Sequence, residues 1–178
     1  MIKLYVVRHG RTDWNVKGII QGTTDIPLNE EGRKQVKELA QKHDLESFDL
    51  CFSSPLKRTR ETAEIIIGNK KEIILDRLLI ERSYGEFEGN PIDYDLTVKI
   101  WTDLDEKMNG IESTRECLER AQKFLRKIKR DYPNKTILIV SHGGFIKALH
   151  FSIIGYDENT DFLSFKPENA KIYEYELD

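Results

Sequence analysis

Residues 2–10 read Ile2-Lys3-Leu4-Tyr5-Val6-Val7-Arg8-His9-Gly10. A short apolar, β-branched run that stops at once on a basic residue, a histidine and a glycine reads as a buried strand ending in a turn. The pattern returns far along the chain, where the apolar run 136–140 leads into Ser141, His142, Gly143 and Gly144. Two buried strands thus each end on a histidine.

Between them, helical and strand patterns alternate. Asn29 stands before Glu30 and Glu31, as an N-cap with acidic residues in the first turn, and Val36, Leu39 and Ala40 continue that helix. A short strand at 49–52 is stopped by Ser53 and Ser54, and Pro55 is expected at the first position of a helix that Gly68 ends. Residues 72–75 form another short strand, 81–92 a loop rich in Gly and Glu, and 93–107 a helix. Cys117, Leu118, Ala121, Phe124, Leu125 and Ile128 recur every three or four positions, and Ser113 with Glu116 makes a capping box, so a helix spans 113–130. Another follows at 145–154, and 170–177 alternates as a final strand. This order implies an α/β fold: a three-layer sandwich whose mostly parallel central sheet carries helices on both faces. Ligands bind such sheets beyond the carboxyl ends of the strands. His9 and His142 are therefore expected to face one crevice.

The 178 residues suit a single domain covering 1–178, without internal repeat or linker. A composition of 39% hydrophobic and 33% charged residues is that of an ordinary globular chain, and a net charge of -3 gives no footprint for nucleic acid or for an anionic membrane. Cys51 and Cys117 lie far apart and outside any metal-ligand spacing, which reads as two reduced thiols. The apolar run at the N-terminus is shorter than that of a signal peptide, and no run approaches a membrane span, so the expected location is cytoplasmic.

Five segments carry a family pattern: VVRHGRTDWN, IQGTTDIPLNEEG, SSPLKRTRETA, IERSYGEFEG and IVSHGG. In this order they resemble the histidine phosphatase superfamily, also called phosphoglycerate mutase-like, and Asn169 near the last strand fits as well. The stretch 93–130 carries no motif and is expected to form the variable helical lid region. Thr59 stands where the family often has Ala, and Lys147 where it often has Arg after the HGG segment.

The residue types suit the chemistry. A phosphomonoester carries nearly two negative charges, and arginine meets it with a forked pair of donors. Arg8 and Arg58 are the candidates. Asn15, His142 and the small segment Gln21, Gly22 and Thr23 offer further contacts, as do Arg11 and Gly143. The resemblance implies His9 as the nucleophile that becomes a phosphohistidine, with Glu81 as general acid and then general base, and Arg8, Arg58 and His142 as the remaining catalytic set. Glu86 and Glu88 compete for the acid role in the same loop. Trp14 is expected to pack, or to line the cleft. No metal or cofactor is implied.

The expected partner is a small phosphorylated substrate, with no nucleic acid and no membrane, and a homodimer is left open. The same chemistry serves a mutase, in which the phosphoryl group returns to a bound acid, and a phosphatase, in which water takes it. The interval from Glu81 to His142 is short, whereas the family's glycolytic mutases carry an extra segment there, and an open cleft favours hydrolysis. Short members of the family resembling α-ribazole and broad-specificity phosphatases are the nearest type. A non-catalytic phosphate-binding module is the third reading, against which an intact histidine and acid both count.

Overall fold

The computed structural model of the chain describes residues 1–43, 47–68 and 70–178. Eleven main elements follow one another: β1 (Ile2–Arg8), α1 (Asp13–Lys17), α2 (Glu30–Lys42), β2 (Leu50–Ser53), α3 (Lys57–Ile67), β3 (Ile73–Leu75), α4 (Tyr94–Thr102), α5 (Thr114–Asp131), β4 (Thr136–Ser141), α6 (Gly143–Ile154) and β5 (Ile172–Leu177). The strands form one sheet in the order β3-β2-β4-β1-β5. All neighbours are parallel except the edge strand β5, which runs antiparallel to β1.

The period of two in the strands divides the core. Ile2, Leu4, Val6, Ile137 and Ile139 face α5 and α6 through Leu118, Phe124, Phe145 and Leu149. Val7, Leu138 and Val140 face the other way, onto Val36 and Leu39 of α2 and Ala63, Ile66 and Ile67 of α3. Helices thus cover both faces, and the three-layer α/β architecture expected from the sequence is the one observed. Strands buried on both sides must be apolar at nearly every position, and β1 and β4 are.

Element ends differ from expectation where tertiary bonds intervene. Helix α3 begins at Lys57 with Leu56 as its N-cap, so Pro55 is not at the first helical position. The chain is still tied to the sheet just before, since Ser54 N donates to Val140 O at 3.2 Å, and residues 55–56 are spent turning toward the helix axis. Helix α6 starts two residues early, at Gly143, because the Glu81 carboxylate accepts from the N–H groups of Gly144 and Phe145, at 3.1 and 2.9 Å. Helix α4 is shorter than expected, running from its Asp93 cap only to Thr102. Strand β5 begins at Ile172, because Ala170 adopts a φ of 51° while its N–H bonds Arg8 O. Of the 93–130 stretch, Tyr94, Leu96, Thr97 and Ile100 of α4 line a cavity at the carboxyl end of the sheet, whereas α5 lies in the core layer. Both cysteines are buried free thiols, and burial pushes each up to about 12.

Candidate active site

Three neighbouring parallel strands deliver the site. β1 ends at Arg8 opposite Ser141 of β4, and His9 N still donates to Ser141 O at 3.0 Å. β2, on the other side of β4, ends at Ser53 and hands on to Ser54. His9, His142 and Ser54 therefore converge at the carboxyl edge of the sheet, where adjacent parallel strands leave a crevice. The two imidazoles meet edge to face with centroids 5.3 Å apart. A cavity of about 510 Å³ opens there, lined by Arg8, His9, Asn15, Gln21, Gly22, Arg58, Glu81 and Gly143 among others.

His9 is 2% exposed, and its Nδ1 lies 2.7 Å from Gly10 O. A carbonyl only accepts, so Nδ1 carries the hydrogen and the lone pair stands on Nε2. Burial, with Arg58 and Arg8 adding repulsion, holds the ring well below the usual histidine range, so it is neutral. His142 is completely buried and held down in the same way by burial, Arg58, His9 and Arg8. Its Nε2 lies 2.8 Å from Ser54 Oγ, which also accepts from Leu56 N at 3.3 Å. Among the described residues His142 Nε2 is the one acceptor that the Ser54 hydroxyl hydrogen meets, and donation there places the His142 hydrogen on Nδ1.

The arginines are anchored but not saturated. Arg58 has no exposure and donates to Thr24 O at 2.8 Å and Gly22 O at 2.7 Å. Arg8 donates to Pro167 O at 2.8 Å. Burial lowers both guanidinium groups, that of Arg58 to about 10, and both stay charged near neutrality. Arg8 Nε, Arg58 Nε and His142 Nδ1 are buried donors without a partner in the protein. Orphaned buried donors are rare, and these three belong to the two arginines whose charges act on His9 and to the histidine whose ring meets it.

Glu81 is 9% exposed, and its Oε1 accepts from Arg82 N at 2.8 Å and Phe145 N at 2.9 Å, while among the described residues Oε2 accepts from Gly144 N alone. A Cβ at Gly144 would stand 2.7 Å from Oε1, so glycine is what lets the carboxylate reach the helix start. Glu88 has different work. Its carboxylate accepts from Thr23 N, Thr24 N and Tyr84 N at 2.9–3.1 Å, fixing the loop whose carbonyls hold Arg58. Gly22 in that loop has a φ of 50°, and a Cβ there would stand 2.0 Å from Glu88 Oε1.

Not every expected contact reaches the cavity. Arg11 is exposed and paired with Glu31 at 2.5 Å, outside the cavity lining. Thr23 turns its hydroxyl to Glu88. Trp14 lies against Gly89 rather than lining the cleft, and Trp101 is buried against Phe162. Asn169 donates to His9 O at 2.8 Å, steadying the histidine backbone. The sequence reading missed Ser54 as the partner of His142, and it missed Tyr84, Leu163 and the apolar wall of Ile92 and Leu96. The serine was visible inside the SSPLKR segment, but only the pairing of β2 with β4 shows which histidine it meets. Among the described residues no group of three or more His, Cys, Asp or Glu has the arrangement of a metal site, and no helix is long and apolar enough to cross a membrane.

A sheet of this topology with paired histidines and arginines at its carboxyl edge defines a phosphate-handling α/β enzyme. The model of the histidine phosphatase superfamily (branch 1) matches residues 4–178, and the chain belongs to that superfamily. Phosphoserine phosphatase 1 of Hydrogenobacter thermophilus is 35% identical, with 96% of this chain and 84% of the relative aligned. The uncharacterized phosphatase PhoE of Bacillus subtilis is 39% identical over 88% of this chain and 80% of its own. A mutant phosphoserine phosphatase from Entamoeba histolytica, solved in complex with phosphoserine, superimposes with a TM-score of 0.83 at 33% identity, covering 98% of this chain and 90% of that one. The class of reaction is phosphomonoester hydrolysis.

Proposed function

We propose that the chain hydrolyses a small phosphorylated metabolite through a phosphohistidine formed on His9. The observation that carries this reading is the set of three orphaned donors, Arg8 Nε, Arg58 Nε and His142 Nδ1, on residues that neighbour a neutral histidine whose lone pair is on Nε2. A phosphoryl dianion satisfies all three. Nε2 attacks phosphorus, the ester P–O bond breaks, and the leaving oxygen takes a proton from Glu81. The Glu81 carboxylate then removes a proton from water as that water attacks phosphorus. The P–N bond breaks, its electron pair returns to Nε2, and inorganic phosphate leaves. Oε2 of Glu81, with one hydrogen bond against two on Oε1, is the oxygen free to carry the proton. Catalysis of this kind rests on positioning and charge stabilisation. Asn15, Gln21, Gly22 and Gly143 shape the pocket around the phosphate, and α4 roofs its outer part. The phosphoserine bound in the Entamoeba relative supports a substrate of metabolite size.

The test is phosphate release from p-nitrophenyl phosphate and from 3-phosphoglycerate, with isomerisation of the latter followed in parallel. Release is expected from both, and little isomer. Rapid isomerisation without release would replace the hydrolase with a mutase, and no turnover at all would leave a phosphate binder.

A further inference from the structure

Lys147 is a buried cation that the mechanism above does not use. It is 8% exposed, and among the described residues its ammonium makes no hydrogen bond and no ion pair. A lysine so enclosed normally has a carboxylate partner. Other buried cations nearby are committed. Arg82 donates to Glu112 O, Thr114 Oγ1 and Ile100 O, and Arg120 is paired with Glu112 at 2.8 Å. Lys147 instead rests over the Trp101 ring, 4.6 Å from its centroid, which steadies it without neutralising it.

Its place in α6 decides where that charge points. Gly143 and Gly144, which pack on Arg8 and Glu81, lie four and three residues before it and so on the same face of the helix. One turn separates them, about 5.4 Å. Helical side chains lean back toward the N-terminus, which here is the phosphate end. Lys147 accordingly lines the same cavity as His9, Arg8 and Glu81, and an adjoining cleft with Arg8, Trp101 and Lys166. Lys166 is exposed and adds positive charge at the rim. The opposing charges that act on Lys147, those of Asp161 and Glu81, form no ion pair with it.

We propose that Lys147 holds a second anionic group of the substrate, one helical turn from the phosphate, so that the preferred substrates are phosphate esters of small organic acids rather than of neutral or basic alcohols. This rests on the phosphatase reading and narrows it. Ile19, Ile92, Leu96 and Leu163 make an apolar stretch of the cavity wall, and beyond the phosphate end the other cation on the lining is the exposed Lys166.

Matched esters test it: 3-phosphoglycerate against glycerol 3-phosphate, and O-phosphoserine against O-phosphoethanolamine. In each pair the carboxylate is the principal difference. The full chain should favour the acid by about tenfold or more in kcat/KM, as one charge-assisted contact implies. Lys147→Met, which keeps an unbranched stem over Trp101, should bring both ratios toward one, while Lys147→Arg keeps most of the preference. Ratios near one in the unaltered protein would overturn the proposal, even if Lys147→Met failed to fold. So would an unchanged ratio in Lys147→Met, or a loss that follows Lys166→Met instead. Release without discrimination would sink only the subsite, whereas no release from any ester would sink the phosphatase reading along with it.

Discussion

Substituting Ser54 by alanine tests whether one hydroxyl sets the hydrogen position on a buried imidazole. In the intact site Ser54 Oγ accepts from Leu56 N and turns its own hydrogen toward His142 Nε2, 2.8 Å away, leaving the His142 hydrogen on Nδ1. That Nδ1 is one of the three unpartnered donors. Without the hydroxyl the ring has two poor choices. Keeping the hydrogen on Nδ1 leaves Nε2 buried and unsatisfied, and moving it to Nε2 turns a lone pair toward the phosphate. The contact at stake is a hydrogen bond to a charged group, about 1.5–3 kcal/mol. The expected loss in kcat/KM is therefore roughly 10- to 150-fold. Hydrolysis of p-nitrophenyl phosphate measures it, with the nitrogen-15 shifts of the His142 ring as the readout that a general loss of stability would not move. Ser54→Thr, which restores the hydroxyl, should recover much of the rate. Ser54→Ala within threefold of the unaltered rate, or an unaltered ring with its hydrogen on Nε2, would refute the reasoning.

Other perturbations follow from the same geometry. His9 and His142 are neutral when folded because burial holds them well below the ordinary value, so the unfolded chain binds more protons below about pH 6.5. The contribution of the two neutral rings should be fully present well above that pH and fall as pH drops through it, with a slope of at most about 1.4 kcal/mol per pH unit for each ring; urea titrations of the chain and of a variant with both histidines changed to Asn check the difference. Gly22→Ala forces a Cβ toward Glu88 at a φ of 50°; a destabilisation of about 1–3 kcal/mol and a lowered Tm are expected in thermal melts, with weaker phosphate binding because Gly22 O anchors Arg58. Arg58→Met removes a buried guanidinium with an unpaired Nε; titration with vanadate should show affinity reduced about tenfold or more. Burial and the neighbouring Arg82 and Lys166 lower Lys147 to about 8, against Asp161 and Glu81, which raise it; the preference for acid esters should fade as pH rises through about 8, read from the ratio of paired substrates.

The fold was legible because β1 and β4 are apolar at nearly every position and both run into histidine and glycine, a pattern that only a doubly covered parallel strand requires. The catalytic candidates were legible for the same reason, as they sit within a few residues of strand ends. What the chain hid was tertiary. The five residues of α1 carry no buried face, so no period marks them, and the turn is held by the Thr12–Asn15 capping box and the left-handed Gly18 that ends it. Glu88 looked like a rival acid in a solvated loop, and became a loop anchor only once 22–24 folded onto it. Arg11 stood inside the motif, yet Glu31 across the turn claims it. Lys147 could be seen as a change of basic residue, but not as an enclosed cation above Trp101 until α6 packed on that ring.

The central claim is that phosphate passes through His9. The direct measurement is to mix the chain with p-nitrophenyl phosphate, quench in alkali within milliseconds, and locate any added phosphoryl group by peptide mass spectrometry. The account predicts the added mass on the peptide bearing His9, gone once turnover is complete and absent in His9→Ala, which should also be inactive. A phosphoryl group on another residue, or hydrolysis that survives in His9→Ala, would contradict it.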